Sequence, residues 1–442
     1  MKKFVRSLTV VSLLALTISI ISCDKSESPK PTKNDEIKTL EAPLNLTCVD
    51  RENKPENLNR PIVIQVSLDG FRADYMQKIN PPNLKRIIKE GIYSSGMLPS
   101  FPTHTYPNHF TLVTGRLPSN HGILSNVFYD KERKEKYDAF GESSGDGSWY
   151  QGDPIWNVVE KSGMLSHVNQ WVGAEVHVNH QDPTCYAPYS GKVTTAQRMD
   201  VVIDWLKLPA EKRPHYINTY VAIIDIAGHA NGPDSKEVKD AVLEADREVG
   251  RLWDYIQASD LPINLVITSD HGMQTNFQDK IVFLGDKADL TGFKWGDKGA
   301  AVFLYHDDET RVAEVYQALK AKENGYKVYL RKDIPAEYRL KNDNRVGDLL
   351  VVSEAGNYIT DRNFNPDKPY RVGGGSHGWP TTNKSMHALF IAAGSNIVKR
   401  RTTIPEFSNI DVYPFVMELL GVTTAVPFDG TAATLHPYIL TN

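Results

Sequence analysis

Cysteine, excess positive charge and long apolar runs are all scarce in this sequence, and each shortage narrows what the protein can be. The 442 residues include three cysteines, Cys23, Cys48 and Cys185, which lack the close spacing of a cysteine zinc site. Lys and Arg number 50 against 54 Asp and Glu, which gives a net charge of −4 and no basic surface for wrapping nucleic acid. The apolar run Leu8 to Ile21 is short for a membrane-spanning helix, and no internal repeat is visible.

The N-terminal residues are predicted to direct export. A basic stretch, Met1 to Arg6, precedes the apolar run, which ends in a small residue followed by Cys23. This pattern resembles a bacterial lipoprotein cleavage box and predicts a signal peptide over 1–22 with a lipid on Cys23. An ordinary signal peptide that is cut elsewhere is the alternative. We therefore expect an exported monomer, anchored by lipid to a bacterial membrane on its periplasmic or cell-surface side.

Residues 23–59 are rich in Lys, Glu, Ser, Pro and Asn and poor in apolar side chains. Such a composition predicts a flexible tether between the membrane and a folded domain. An exported setting would permit a disulfide between Cys48 and Cys185, but the sequence does not decide whether they pair.

The rest of the chain alternates predicted strands and helices. Strands are predicted over Pro61–Leu68, Tyr216–Ile224, Asn264–Thr268, Ala300–Tyr305, Leu349–Val352 and Ala388–Ala392. Helices are predicted over Asn83–Glu90, Ala196–Leu206, Ser235–Ala258, Glu309–Glu323 and Ile410–Leu420. This alternation predicts an α/β fold, with a mostly parallel central sheet covered by helices on both faces. We assign residues 60–435 to one domain of this kind.

Acidic and imidazole side chains follow several of these strands, where an open parallel sheet places its ligands. They are Asp69, Asp225, His229, Asp270, His271 and His377. Mixed Asp and His ligands suit zinc, whereas magnesium prefers oxygen ligands alone. Each residue taken singly could instead cap a turn or lie in a loop, so the prediction of metal binding rests on the whole set.

Thr105 lies at the predicted start of a helix that runs through Phe110, Leu112 and Val113 to Gly115. The first turn of a helix offers unpaired N–H groups and a positive dipole, which favour a phosphate oxygen. A plain capping threonine is the alternative. The surrounding Asp and His residues favour a nucleophile.

Six segments that follow one another in order carry a family resemblance. They are Ser67–Arg72, Pro102–Gly115, His121–Asp130, Asp225–Pro233, Ser269–Met273 and Ser376–Gly378. Together they resemble the nucleotide pyrophosphatase/phosphodiesterase family of the alkaline phosphatase superfamily, over about residues 60–435. The stretch from Pro102 to Asp130 is highly specific, whereas the Ser-Asp-His-Gly-Met segment is shared across the superfamily.

The resemblance implies two zinc ions and a covalent mechanism. One zinc would be held by Asp225, His229 and His377, and the other by Asp69, Asp270 and His271, with Thr105 as ligand and nucleophile. Asn126 and the backbone N–H after Thr105 would stabilise phosphoryl oxygen charge. Tyr106 would stack a nucleobase and Tyr220 would line the pocket, although Asn126 alone suits a turn and Tyr106 alone suits the core.

Several functions are compatible with this set of residues. The leading expectation is zinc-dependent hydrolysis of phosphodiester or pyrophosphate bonds in nucleotide-like substrates through a phosphothreonine intermediate. A phosphomonoesterase or phosphonate hydrolase on the same two-zinc core is the second, and a sulfatase is disfavoured because neither Cys nor Ser stands at Thr105. The third is a surface lipoprotein without catalysis, which would have lost at least one ligand. Members with Lys before the nucleophile differ from this chain, which has His104, so the natural substrate is left open.

Overall fold

The structure is a computed structural model that describes residues 45–341, 344–362, 373–399 and 403–440. The predicted signal peptide over 1–22 and the predicted lipidation site Cys23 lie outside these residues. Among the helices of the described ranges, none combines the length and the apolar character that a membrane span needs.

The described residues form twenty strands and ten α-helices. The strands are β1 (Thr47–Cys48), β2 (Ile62–Leu68), β3 (Gly91–Leu98), β4 (Val127–Asp130), β5 (Glu135–Asp138), β6 (Ser166–Asn169), β7 (Cys185–Ala187), β8 (Tyr216–Val221), β9 (Ile263–Thr268), β10 (Gln274–Thr275), β11 (Ile281–Phe283), β12 (Lys294–Trp295), β13 (Ala301–Tyr305), β14 (Tyr326–Leu330), β15 (Leu349–Ser353), β16 (Tyr358–Thr360), β17 (Gly375–Ser376), β18 (Ala388–Gly394), β19 (Thr403–Ile404) and β20 (Phe407–Ser408). The helices are α1 (Tyr75–Lys78), α2 (Pro82–Ile88), α3 (Thr105–Thr114), α4 (Pro118–His121), α5 (Ile155–Lys161), α6 (Thr195–Leu206), α7 (Ile223–Asn231), α8 (Lys236–Ala258), α9 (Glu309–Ala321) and α10 (Val412–Leu420).

A ten-stranded sheet forms the centre of the domain, with the order β1-β7-β6-β8-β2-β9-β18-β3-β19 and with β20 also paired to β3. The pairings of β6 with β7 and β8, of β2 with β8 and β9, and of β3 with β19 and β20 are parallel. Those of β1 with β7 and of β18 with β9 and β3 are antiparallel. The sheet is therefore mixed but mostly parallel, as the sequence predicts.

Helices cover both faces of this sheet, which confirms the predicted α/β fold. Side chains of a strand alternate between faces, so a strand buried on both sides is apolar almost throughout. In β2, Ile64 and Val66 pack with α2, α6 and α8, whereas Val63 packs with α3, α5 and α10. The whole of β2 is buried.

Two sequence-based expectations need correction. The strands predicted near Ala300–Tyr305 and Leu349–Val352 exist, but they are an antiparallel pair in a separate four-stranded sheet, ordered β12-β13-β15-β14. With α9 this sheet encloses its own apolar core, and strand periodicity alone does not reveal which sheet a strand joins. The strand predicted over Tyr216–Ile224 ends at Val221, because α7 begins at Ile223.

The predicted tether boundary at residue 59 is also too late, because residues 45–59 are attached to the domain. Strand β1 pairs with β7, and a disulfide joins Cys48 to Cys185. Asn53 is 5% exposed, and its side-chain amide donates hydrogen bonds to the carbonyl groups of Ala210, at 2.9 Å, and Arg213, at 2.7 Å. The amino-acid composition shows that this segment is polar, but it does not reveal the long-range bonds that attach the segment to the domain.

Candidate active site

Thr105 is the first helical residue of α3, one position after the N-cap. His104 occupies the N-cap position without a side-chain capping bond, and Gly115 ends the helix with a left-handed φ of 63°. Thr105 Oγ1 lies 3.1 Å from His271 Nε2. The capping interpretation of Thr105 is therefore wrong, and the hydroxyl belongs to a cluster of potential metal ligands.

One set of potential ligands is assembled by α7 and the loop around β17. Asp225 and His229 are one turn apart on α7, and His377 directly follows β17. The distances are 3.4 Å from His229 Nε2 to Asp225 Oδ1, 3.1 Å between the Nε2 atoms of His229 and His377, and 3.8 Å from His377 Nε2 to Asp225 Oδ1. A tetrahedral zinc ion with bonds of about 2.1 Å separates its ligands by about 3.4 Å, so these three atoms are spaced as zinc requires.

The second set lies at the carboxyl ends of two neighbouring parallel strands. Asp69 directly follows β2, and Asp270 and His271 follow β9 after one residue. His271 Nε2 is 3.5 Å from Asp69 Oδ1 and 3.0 Å from Asp270 Oδ2, and Thr105 Oγ1 approaches the same nitrogen. These spacings again suit one shared cation with Thr105 in its coordination shell.

All three histidines of the two sets are oriented by backbone carbonyl groups. The Nδ1 atoms of His229, His271 and His377 lie 2.8–2.9 Å from the carbonyl oxygens of Gly375, Gly272 and Thr103, respectively. A carbonyl accepts a hydrogen bond, so each Nδ1 carries the proton and each Nε2 lone pair is free to bind a metal.

Three carboxylates of the two sets each have a buried oxygen that is available to bind a cation. Asp69 Oδ1, Asp225 Oδ1 and Asp270 Oδ2 are buried and have no hydrogen-bond partner among the described residues. Burial, together with the charges of Asp270 and Asp225, raises the pKa of Asp69 well above its usual range. A bound divalent cation would satisfy these oxygens and reverse that shift. The residues present therefore fit two metal ions.

The two sets adjoin each other. The rings of His271 and His377 stack with centroids 3.5 Å apart and an interplanar angle of 14°. The ligand atoms of Asp225, His271 and His377 also lie within 4.8 Å of one another, so His271 is within reach of both sets. We describe it with the second set because its Nε2 lies 3.0 Å from Asp270 Oδ2 and 3.1 Å from Thr105 Oγ1. Burial, and then the neighbouring His271 and His229, lower the pKa of His377 well below its ordinary value, which favours the neutral, metal-binding form.

Asn126 lies beside Thr105, the candidate nucleophile, but one expected donor there already has an acceptor. Tyr106 N–H, the backbone group after Thr105, donates a 2.9 Å hydrogen bond to Asn126 Oδ1. This corrects the expectation that the N–H would stabilise phosphoryl oxygen. Because Oδ1 faces a donor, the amide orientation is fixed, and Asn126 Nδ2 has no hydrogen-bond partner among the described residues.

Tyr106 and Tyr220 both line a cleft of about 490 Å³ that opens onto Thr105 and the ligand sets. The Tyr106 and Phe140 rings form a T-shaped pair with centroids 6.0 Å apart, and Phe140 is 79% exposed. Tyr220 is buried, and its hydroxyl donates a 2.5 Å hydrogen bond to Asp69 Oδ2. Tyr220 therefore contacts a potential metal ligand in addition to lining the pocket.

Sequence reasoning missed the contacts of His109, one turn after Thr105. Its Nδ1 lies 2.9 Å from the Thr105 carbonyl oxygen and 3.3 Å from Asp270 Oδ2, and its Nε2 lies 2.8 Å from Ser67 Oγ. The ring thus joins α3 to the ends of β2 and β9. Its i+4 spacing from Thr105 was the available signal.

Comparisons with known proteins agree with this geometry. The family model of type I phosphodiesterase/nucleotide pyrophosphatase matches residues 63–380. A pyrophosphatase/phosphodiesterase of Schizosaccharomyces pombe, itself uncharacterized, is 30% identical over 396 residues, which are 86% of this chain and 80% of the yeast protein. Ectonucleotide pyrophosphatase/phosphodiesterase family member 3 of Bos taurus is also 30% identical over 396 residues, but they are only 44% of its length.

Solved structures give the same result. Human ectonucleotide pyrophosphatase/phosphodiesterase 5 superposes with a TM-score of 0.80 at 28% identity, covering 86% of this chain and 100% of the human chain. The murine protein, solved as an inactive threonine-to-alanine variant in complex with AMP, gives 0.79 at 28% identity with the same coverage. The fold is thus that of the alkaline phosphatase-like enzymes. The chain belongs to the type I phosphodiesterase/nucleotide pyrophosphatase family.

Proposed function

We propose that this protein hydrolyses phosphodiester and pyrophosphate bonds of nucleotide-like substrates, with Thr105 as nucleophile and two zinc ions as cofactors. The observation that carries the proposal is the position of Thr105 Oγ1, at a helix start and 3.1 Å from His271 Nε2, within a complete set of ligands. No predicted ligand is displaced from the cluster, which argues against a protein that has lost catalysis.

Asp225, His229 and His377 would hold one ion, and Asp69, Asp270 and His271 the other. When bound, the ions would supply Lewis acidity that lowers the pKa of the Thr105 hydroxyl and offsets negative charge on the reacting phosphoryl group. Zinc rather than magnesium is favoured because three of the six ligands are imidazoles.

The chain's own groups carry the two chemical steps. Thr105 Oγ attacks phosphorus and gives its proton to solvent, while the bond from phosphorus to the leaving oxygen breaks and that oxygen takes a proton from water. Water then attacks phosphorus, the bond from phosphorus to Thr105 Oγ breaks, and Oγ takes the proton that the water gives up, which restores the Thr105 hydroxyl. In both steps Asn126 Nδ2, the donor without a partner, would hydrogen-bond a non-bridging oxygen, a contribution worth about 10²–10³ in rate.

The charges of the cleft favour diesters over monoesters. A monoester carries an additional negative charge, which enzymes balance with basic side chains. Among the described residues that line the cleft, Lys298 is the only Lys or Arg, and its ammonium pairs with Asp361 at 2.5 Å. A free cation for a terminal phosphate is therefore lacking in this part of the chain.

The aromatic wall of the cleft supports a nucleotide-like substrate. Tyr106 follows Thr105 in the chain, its ring contacts that of Phe140, and both rings line the cleft. Aromatic rings bind bases of any sequence by stacking. The AMP complex of the murine relative is consistent with this assignment.

The test compares substrates on one zinc-loaded preparation. We expect faster cleavage of bis-p-nitrophenyl phosphate and of a nucleoside 5′-p-nitrophenyl ester than of p-nitrophenyl phosphate. Thr105→Ala should lower kcat by at least ~10³-fold, and acid quenching should trap a phosphoryl group that still carries its second ester substituent on Thr105 only in the wild-type protein. Thr114→Ala, a buried threonine of the same helix bonded to Phe110 O, is the matched control and should retain activity.

Three results would contradict the proposal. They are failure to cleave either diester, preference for the monoester, and fewer than two tightly bound zinc ions per chain by elemental analysis. The second would instead support the phosphomonoesterase alternative.

We also propose that the protein is exported and anchored by lipid through Cys23. The Cys48–Cys185 disulfide is of the kind found in exported proteins, and several relatives are named ectonucleotide enzymes or venom phosphodiesterases. Expression in a bacterium with radiolabelled palmitate should label the wild-type protein and not Cys23→Ser. Equal labelling, or equal release of both proteins from membranes, would contradict the anchor.

A further inference from the structure

Asp297 is a cleft-lining residue that holds the segment containing Asn126. It lies in the turn between β12 and β13, 171 positions after Asn126 in the numbering. Its Oδ2 accepts hydrogen bonds from Val127 N–H, at 3.0 Å, and from the Ser125 hydroxyl, at 2.5 Å. The Asp297 N–H also donates to Val127 O at 3.0 Å. Both residues that flank Asn126 are thus fixed by one side chain.

The same carboxylate reaches the residue before the nucleophile. His104 Nδ1 is 2.7 Å from Ser125 Oγ and 3.3 Å from Asp297 Oδ2. Because Ser125 gives its hydroxyl hydrogen to Asp297, its oxygen accepts from His104 Nδ1–H. His104 is 4% exposed and packs closely on Gly378, where a Cβ would lie 2.4 Å from His104 Nε2.

These hydrogen bonds connect both sequence neighbours of Thr105, His104 and Tyr106, to the segment 125–127. The segment 125–127 is joined to His104 through Ser125 and to Tyr106 through Asn126 Oδ1. A donor that stabilises a transition state must be held within about 0.5 Å of its productive position by groups that support it. The Asn126 side chain makes only one hydrogen bond of its own among the described residues, so its position depends on its neighbours.

We propose that Asp297 is a positioning residue for phosphoryl transfer, which fixes the Asn126 amide and the His104 ring against Thr105. The inference rests on the proposed function, since it assigns Asn126 the role of phosphoryl donor. Loss of the Asp297 carboxylate leaves Ser125 and Val127 without their shared acceptor, and the Asn126 amide loses its alignment.

The first test measures kcat and KM for bis-p-nitrophenyl phosphate. We expect Asp297→Ala to lower kcat by about 10²-fold, the value of one misplaced donor, with KM within about threefold of wild type. Asp297→Asn keeps one acceptor oxygen and should lose less. Asp348→Asn is the matched control, because Asp348 is equally buried (15% against 18% side-chain exposure) and also accepts a backbone N–H, from His306, but does not line the cleft.

A double-mutant cycle separates positioning from a general effect on folding. If Asp297 acts chiefly through Asn126, adding Asp297→Ala to Asn126→Ala should lower kcat by less than about tenfold, since grouped residues are not additive. A full 10²-fold further loss in the double variant would overturn the proposal. So would wild-type kcat in Asp297→Ala, or an equal loss in Asp348→Asn. Thermal melts of all variants identify any that fail to fold, in which case Asp297→Asn carries the comparison.

Orthovanadate binding gives a readout other than turnover. Vanadate adopts the geometry of the phosphoryl group in transfer, and Trp171 in the cleft wall can report it by fluorescence. We expect weaker vanadate binding in Asp297→Ala and Asn126→Ala, by similar factors, and unchanged binding in Asp348→Asn. A wild-type protein that binds vanadate but cleaves no diester would contradict the proposed function and leave the Asp297 comparison intact. Unchanged vanadate binding in Asp297→Ala would contradict the positioning role alone.

Discussion

Tyr220 is expected to support metal binding rather than substrate binding alone, and Tyr220→Phe tests this with the loss of one oxygen atom. The Tyr220 hydroxyl donates to Asp69 Oδ2 at 2.5 Å, while Asp69 Oδ1 faces His271 Nε2 at 3.5 Å without a hydrogen-bond partner. One carboxylate oxygen is thus held so that the other can bind metal. Burial, and then the Asp69 charge, raise the pKa of Tyr220 well above its ordinary value, so the phenol remains a donor.

The size of the effect follows from that one hydrogen bond. A bond to a charged acceptor contributes about 1.5–3 kcal/mol, and loss of an outer partner of a metal ligand weakens metal affinity by about 10–100-fold. For the proposed two-zinc centre we therefore expect Tyr220→Phe to bind one of the ions about 30-fold more weakly, equivalent to about 2 kcal/mol. Competition with a chromogenic chelator, followed by stoichiometric zinc titration, measures both affinities directly.

Tyr189→Phe is the matched control for this experiment. The Tyr189 and Tyr220 rings form a T-shaped pair with centroids 5.7 Å apart, and Tyr189 is 48% exposed, but the Tyr189 hydroxyl makes no hydrogen bond to Asp69. We expect both zinc affinities to be unchanged in this variant. Unchanged affinities in Tyr220→Phe, or an equal loss in Tyr189→Phe, would refute the reasoning that the phenol orients Asp69.

Three further outcomes are expected. Tyr106→Ala should lower kcat/KM for a nucleoside p-nitrophenyl ester by about 5–150-fold, the range for one lost base stack, with little change for bis-p-nitrophenyl phosphate; equal losses would contradict stacking. Burial lowers the pKa of His121 to about 3, so its contribution to stability is present above the unfolded value near 6.5 and is lost as the pH falls toward 3. Urea unfolding of the metal-free protein should therefore lose about 2 kcal/mol more between pH 7 and pH 5 in wild type than in His121→Asn, and equal losses would contradict this. Replacing Cys48 and Cys185 by Ser, which opens a loop of 137 residues, should lower the free energy of unfolding by about 2–5 kcal/mol without changing kcat, and unchanged stability would show that the bond contributes little.

The clustering of the candidate ligand residues could be predicted because parallel strands end at one edge of a sheet. Asp69 follows β2, and the Asp270–His271 pair follows β9. Because β2 and β9 are neighbouring parallel strands, these three residues lie close together in the structure, as their positions after the strands predict. The sequence predicts that Asp225 follows a strand directly. In the structure it lies in the first turn of α7, because β8 ends earlier than the apolar run suggests. The helix brings Asp225 and His229 together by its i+4 spacing instead.

Contacts between distant segments were beyond the reach of the sequence. Asp297 has no neighbouring motif, and its role appears only because the turn after β12 folds against β4. The attachment of residues 45–59 likewise depends on Cys185 and on carbonyl groups near residue 210. Periodicity describes the faces of single elements, whereas these features depend on which elements meet.

The carbonyl groups behind the three histidines have a consequence for how this centre can change during evolution. The acceptors of His229, His271 and His377 are backbone oxygens of Gly375, Gly272 and Thr103. A backbone oxygen is present whatever side chain its residue carries, so point substitutions cannot delete it. The side chains around the imidazoles can therefore change during evolution toward new substrates. The orientation of each ring is kept as long as the backbone conformation is kept.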